Sequence, residues 1–210
     1  LVNGTTLRTA FAAVAETDRV HPRTHTEDGQ PIDTSFATLE TDPLPALTQL
    51  LEEARRWTDR NWGATALDAM ARASSWRPDT REAAEREAEA ARAELDWIEA
   101  GLTLLRDNQE LLEAFRLMNK TMECVARGRY TGWRPFQLAF ILGCLPGVVD
   151  PRAAPTVDIL WFRTGGGKTE AYLGLNVLSL FFSRLRGLTG GAQTWARFPL
   201  RLLSLQQTQR

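Results

Sequence analysis

The apolar positions between residues 44 and 127 follow the spacing of α-helices. Over residues 44–73 they recur at steps of three and four, which places them along one face of a helix. Residues 81–127 open with a mixture of Ala, Glu and Arg, all strong helix formers, and continue with similar apolar spacing. Gly101 and the Asp107-Asn108 pair interrupt this second stretch and predict a bend or a split into two helices. We therefore predict a helical domain at residues 44–130.

Residues 1–43 lack such a sustained pattern. They are polar and rich in turn-forming pairs, among them His21-Pro22 and Asp28-Gly29. We predict an irregular N-terminal segment here.

The pattern changes after residue 131. A short apolar helix at residues 136–145 is followed by an apolar run at residues 157–162 that has the length of a buried strand. A long apolar helix then extends to about residue 186, a second strand signal covers residues 193–198, and a further helix begins near residue 200. Strand and helix alternating in this order predict an α/β fold with parallel strands, in which residues 131–210 begin a second domain.

A glycine-rich turn lies between the first predicted strand and its helix. Its sequence is Thr164-Gly165-Gly166-Gly167-Lys168-Thr169. Consecutive glycines let the backbone turn tightly and aim its N–H groups at an anion, and the start of the following helix adds positive potential. In such a P-loop, or Walker A motif, the lysine reaches the β- and γ-phosphates of ATP and the threonine hydroxyl ligates Mg²⁺. The first position of the strict motif is Phe162 instead of glycine, so the match is to the shorter helicase form.

A second candidate lies upstream, in Trp133-Arg134-Pro135-Phe136-Gln137. A carboxamide both donates and accepts hydrogen bonds, which suits it to the edge of an adenine ring. Gln137 resembles, by its place before the glycine-rich turn, the glutamine with which many superfamily-two helicases recognise adenine, and on this resemblance we predict that it contributes to nucleotide binding in this way. The alternative is a glutamine that caps or lines an apolar helix.

A third candidate follows the second predicted strand, at residues 198–207. The proline ends the strand, and the helix after it presents backbone N–H groups suited to phosphates. The segment resembles the helicase segment that follows the P-loop helix and contacts a nucleic-acid strand through its phosphates. The resemblance implies that Pro199 and Arg201 contact DNA; the alternative is a structural turn with a surface arginine. No apolar strand in the chain ends in the paired acidic motif that hydrolysis requires, since residues 148–151 are too short and precede the glycine-rich turn.

Composition and charge add few restrictions. The chain of 210 residues is 43% hydrophobic and has a formal net charge of -1, so it shows no global basic footprint for nucleic acid, although a local basic track would suffice. Cys124 and Cys144 fall in apolar stretches and are predicted to be small core residues in a reducing compartment. The chain opens without a signal-peptide pattern, and its apolar stretches are short for a bilayer. We predict a cytoplasmic protein without membrane contact.

The three motifs together resemble superfamily-two DNA helicases. The wider pattern resembles the helicase-like subunit of the bacterial DISARM antiphage systems, and it is carried by residues 115–119, 133–140, 158–174 and 197–203. The resemblance implies a truncated RecA-like lobe, ATP and Mg²⁺ as cofactors, and an ATP-driven translocase acting on foreign DNA with other subunits of a defence complex. Because the acidic motif and a second lobe are absent, we expect an N-terminal part of a longer enzyme that is inactive by itself.

Two other functions stay open at this point. One is a P-loop ATPase that is not a helicase. The other is a non-catalytic helical scaffold in which residues 44–127 dock a partner and the P-loop is vestigial.

Overall fold

A computed structural model describes residues 2–3, 6–7, 24–152, 157–160 and 166–197. Within these ranges the regular structure consists of two very short strands and seven helices. They are β1 (Val2–Asn3), β2 (Thr6–Leu7), α1 (Phe36–Thr41), α2 (Pro43–Trp62), α3 (Ala64–Ala73), α4 (Pro78–Asp107), α5 (Gln109–Ala126), α6 (Pro135–Val149) and α7 (Lys168–Leu185). β1 and β2 pair in antiparallel register, Val2 with Leu7 and Asn3 with Thr6.

The boundary between α4 and α5 lies at the Asp107-Asn108 pair, as the sequence predicts. α4 begins with Pro78, whose fixed φ and missing N–H suit the first helical turn. It ends at Asp107, and the Asn108 side chain then caps α5 by accepting a hydrogen bond from the Leu111 N–H at 3.0 Å. The split into two helices is therefore confirmed at the Asp107-Asn108 pair, whereas no split occurs at Gly101, which lies inside α4.

One hydrophobic core joins α1, α2, α4, α5, α6 and α7. α4 packs against α2 and α6, while α5 packs against α1 and α7. Full burial of a large apolar side chain contributes about 1.5–3 kcal/mol, so this cluster dominates the stability of the helical assembly. Its largest fully buried members are Phe36, Leu39, Leu47, Leu102, Leu105, Leu111, Phe115, Met118, Met122, Leu138, Ile141 and Leu142. The core runs across residue 130, and the division into domains at residues 43 and 130 stays a prediction.

The predicted α/β fold with parallel strands and a RecA-like lobe is wrong. Residues 157–160 have no regular secondary structure, and Val157 and Ile159 are 89% and 81% exposed. Residues 193–197 are likewise irregular. A strand is stable only beside a partner, and neither segment has one among the described residues. Those residues form a helical fold, apart from the β1–β2 pair; residues 161–162, 198 and the helix predicted from residue 200 lie outside the described ranges.

The tightest helix crossing is between α4 and α6, at Gly101. A Cβ atom added there would overlap the backbone carbonyl oxygen of Leu142. The two helices therefore meet backbone to backbone, and only a residue without a side chain fits at this position of α4.

Substitution of Gly101 by alanine is expected to destabilise the fold by about 1–3 kcal/mol, because the new methyl group must push α4 and α6 apart. The measurement is the free energy of unfolding in denaturant. Gly143→Ala is the matched control, since a Cβ at Gly143 of α6 meets nothing within 4 Å. That control is expected to be neutral or stabilising by about 0.5–1 kcal/mol. Equal effects of the two substitutions would contradict the backbone contact.

Candidate phosphate-binding site

Trp133, just before α6, is anchored on three sides. Its backbone N–H donates to the Thr34 carbonyl at 2.9 Å, and the Thr34 hydroxyl donates to the Trp133 carbonyl at 2.7 Å. Its indole N–H donates to the buried side-chain oxygen of Asn119 on α5 at 2.7 Å. The ring also meets Phe36 edge-on, with centroids 5.4 Å apart. These contacts fix the place at which α6 begins.

The same indole sets the position of α7. A Cβ atom added to Gly174 of α7 would lie 2.5 Å from the Trp133 ring. Because glycine at this position admits the ring, the N-terminal half of α7 lies directly against the start of α6. The turn that carries Arg134 and Gln137 is thereby brought to the glycine-rich turn before α7.

Arg134 and Gln137 belong to one turn at the start of α6. Pro135 is the first helical residue, which makes Arg134 the N-cap and Gln137 the third helical residue. The Gln137 side-chain oxygen accepts a hydrogen bond from the Arg134 backbone N–H at 2.7 Å, which is one half of a capping box. Both side chains therefore leave the helix on the same turn.

These two side chains hold the glycine-rich turn by its carbonyl groups. The Arg134 guanidinium donates through Nη1 to the Gly166 carbonyl at 2.7 Å, and Gln137 donates through Nε2 to the Gly167 carbonyl at 2.7 Å. We call this pair of bonds the glycine clasp. It joins two motifs that lie about 30 residues apart in the sequence, the segment at residues 133–137 and the glycine-rich turn.

Gly167 occupies a conformation reserved for glycine. It is the N-cap of α7 with φ at 91°, in the left-handed region. A Cβ there would also approach the side-chain nitrogen of Gln137 to 2.8 Å. Both its φ and its close contact with Gln137 therefore require glycine at this position.

The structure brings together five of the predicted site residues and leaves the others outside its description. Gly166, Gly167, Lys168 and Thr169 form the end of the turn and the first residues of α7, beside Gln137. Lys168 and Thr169 are half-buried. The predicted site residues outside the described ranges are Thr164, Gly165, Pro199 and Arg201.

Gln137 is 5% exposed, and both ends of its amide bond to backbone. Each end keeps one further hydrogen-bonding position, so adenine recognition by Gln137 stays a prediction.

Arg134 is the residue that sequence reasoning missed. The signal was present, since Pro135 at a helix start places residues 134 and 137 on the same turn. The sequence does not give the distance from that turn to Gly166, because this distance depends on how α7 packs against Trp133.

The described residues show no group of three His, Cys, Asp or Glu side chains suited to hold a metal ion. Among the same residues no helix has the length and apolar character needed to cross a bilayer.

A groove of about 1110 Å³ lies on the other side of α6, between α4 and residues 157–160. Cys144 lines it and donates a hydrogen bond to the Asp158 carboxylate. Burial raises the pKa of the Cys144 thiol to about 12, with the charge and the hydrogen bond of Asp158 adding to the shift. Cys124, by contrast, is exposed on α5, so the prediction that it lies in the core is wrong.

Cys144 is expected to resist alkylation while Cys124 reacts. With a pKa of about 12, its thiolate fraction at pH 8 is only about 10⁻⁴, and the thiolate is the reacting form. Iodoacetamide labelling followed by peptide mass spectrometry measures both rates in one sample. Asp158→Asn should speed the reaction of Cys144, because removal of the carboxylate lowers its pKa. Equal rates at the two cysteines would contradict this account.

No family model matches the chain. The chain is similar to the DISARM protein DrmA of Bacillus paralicheniformis (strain ATCC 9945a / NCIMB 11709 / CD-2), with 39% identity over 159 residues. The match covers 62% of this chain and 14% of the relative. The chain therefore shares a substantial part of its sequence with a DISARM protein and spans about one seventh of that protein's length.

Proposed function

We propose that this chain supplies the triphosphate-binding part of an ATP-dependent DNA translocase or helicase that acts in antiphage defence. The observation that carries the proposal is the glycine-rich turn at the N-terminus of α7. Gly166 and Gly167 lead directly into a helix of 18 residues, and Lys168 and Thr169 stand on its first turn. An ammonium group, a hydroxyl group and the positive end of a helix suit a polyphosphate.

The choice of residue at position 168 supports the same role. The chain contains 23 arginines and two lysines, Lys120 and Lys168. A lysine in a chain that otherwise uses arginine points to a need for a compact ammonium group on a flexible stem, which is how a P-loop lysine meets phosphate.

Mg²⁺ would enter the proposed site already bound to the nucleotide. Thr169 offers one hydroxyl oxygen, and Mg²⁺ is usually bound through few protein ligands together with phosphate oxygens and water. The donors at the start of α7 therefore fit Mg²⁺-ATP. In the proposal, Gly165, Gly166, Gly167 and Lys168 surround the phosphates, with Thr164 at the start of the turn.

The defence role is proposed from the similarity to the DISARM protein DrmA. On that basis the intact protein would act on DNA in the cytoplasm together with other subunits of a defence complex. Pro199 and Arg201 are proposed as DNA contacts.

The helical architecture favours one competing function, a non-catalytic scaffold. The core is built from helices of both halves of the described chain, and such an assembly would persist whether or not nucleotide binds. The two functions differ in what happens when the lysine of the turn is removed.

Lys168→Ala in the intact protein is expected to weaken ATP binding at least about ten-fold, which corresponds to about 1.4 kcal/mol, and to abolish DNA-stimulated ATP hydrolysis. Calorimetry and phosphate release measure the two effects. Lys120→Ala is the matched control, because Lys120 is an exposed residue of α5 whose ammonium pairs with Glu40 at 3.2 Å. If Lys168→Ala left binding, hydrolysis and phage resistance intact, the scaffold function would replace the motor.

A further inference from the structure

The glycine clasp determines which way two peptide groups of the turn face. In a trans peptide the C=O of one residue and the N–H of the next point in opposite directions. The Gly166 carbonyl points to Arg134, so the N–H of Gly167 points away from Arg134. The Gly167 carbonyl points to Gln137, so the N–H of Lys168 points away from Gln137.

Both donors of the clasp come from the same side of the turn. Arg134 and Gln137 leave a single turn of α6, whose place is fixed by the bonds and packing of Trp133. The N–H groups of Gly167 and Lys168 are therefore both directed to the face away from α6. The N–H groups of Gly167, the N-cap, and of Lys168, the first residue of α7, are among the unpaired amides that this helix end presents, so the clasp fixes the direction of two of them.

We propose that Arg134 and Gln137 are positioning residues that set the phosphate-binding conformation of the turn, and that they do so independently of the base of the nucleotide. This inference rests on the proposed triphosphate site. It assigns Arg134 a role in orienting the turn, and it gives Gln137 the same role in place of adenine recognition. The ligand class follows from it: the clasp favours any polyphosphate, whatever base it carries.

Three observations favour positioning over base reading. Gln137 is 5% exposed, and its amide already joins the Arg134 N–H to the Gly167 carbonyl. The Arg134 guanidinium reaches the neighbouring carbonyl, so two residues of one turn perform the same task. The left-handed Gly167 leaves room for the Gln137 nitrogen, where a Cβ would come within 2.8 Å of it.

The experiment compares ligands with and without a base. Binding of ATP, GTP and inorganic tripolyphosphate, each with equimolar Mg²⁺, is measured by calorimetry on the intact protein and on Gln137→Met, Arg134→Ala and Arg134→Lys. Gln137→Met is the central variant because it removes the donor to Gly167 without changing the charge near the site. Melting temperatures ensure that every titration is run on folded protein.

Gln137→Met and Arg134→Ala are each expected to weaken all three ligands by a similar factor of about ten, the effect of one lost hydrogen bond near a charged ligand. The ratio of ATP to GTP affinity should stay at its wild-type value. Arg134→Lys should recover part of the loss, since an ammonium group can still donate one bond to the Gly166 carbonyl.

Arg129→Ala is the matched control. Arg129 also donates to backbone carbonyls, at Val125 and Ala126, but these lie at the end of α5. Its substitution should leave all three affinities unchanged.

The other outcomes overturn the inference in different ways. A loss confined to ATP would assign Gln137 to the adenine ring instead. Unchanged affinities in the clasp variants, with tight binding by the wild type, would show that the clasp does not orient the turn and would leave the proposed function standing. If the wild type bound none of the three ligands, the proposed function itself would fail, and the inference with it.

Discussion

The anchoring of Trp133 is the interaction on which the rest of the candidate site depends. Its indole N–H is bonded to a side chain that is itself buried, Asn119, and its backbone is bonded to Thr34. An unpaired indole N–H in this core would cost about 1–3 kcal/mol, so the pairing selects one orientation of the ring. That orientation fixes the start of α6 and, through the close approach of Gly174, the position of α7. The position of the glycine-rich turn thus depends on packing in the helical core.

The sequence is sufficient to predict a structural feature where residues close together in the chain determine that feature. The apolar spacing predicts helices in the stretches that form α2 to α7, although the first stretch is divided into α2 and α3 and although α1 lies in the segment predicted to be irregular. A residue able to cap a helix, Asn108, marks the boundary between α4 and α5. Gln137 and the glycine-rich turn can both be singled out as candidates from the sequence, because each carries a recognisable local chemistry. Their hydrogen bond could not be derived from the sequence, since it depends on packing between residues far apart in the chain.

The wrong predictions have a common physical origin. A short apolar run forms a buried strand only where neighbouring strands exist. The spacing of apolar residues carries no information about neighbouring strands. Val157 and Ile159 are apolar and yet exposed, so the expected parallel sheet is not formed by the residues described. The prediction that Cys124 lies in the core fails for a similar reason. It relies on the apolar residues next to Cys124 in the sequence, whereas exposure depends on the helix face on which the residue lies. Pro135 places Arg134 on the same turn as Gln137, but the sequence does not give the partner of Arg134, because that partner depends on the packing of α7.

The glycine clasp also bears on the sign of the charge that would suit the turn in the proposed site. A peptide group is a dipole, and rotating it by half a turn exchanges its N–H for its carbonyl oxygen. The peptide between Gly166 and Gly167 has no side chain on either side, so its rotation meets little steric resistance from the turn itself, whereas the next peptide already belongs to the start of α7. Were the first peptide reversed, its carbonyl oxygen would face away from α6 in place of its N–H. In the proposed site, the bond from Arg134 to the Gly166 carbonyl would therefore favour an anion over a cation at this peptide.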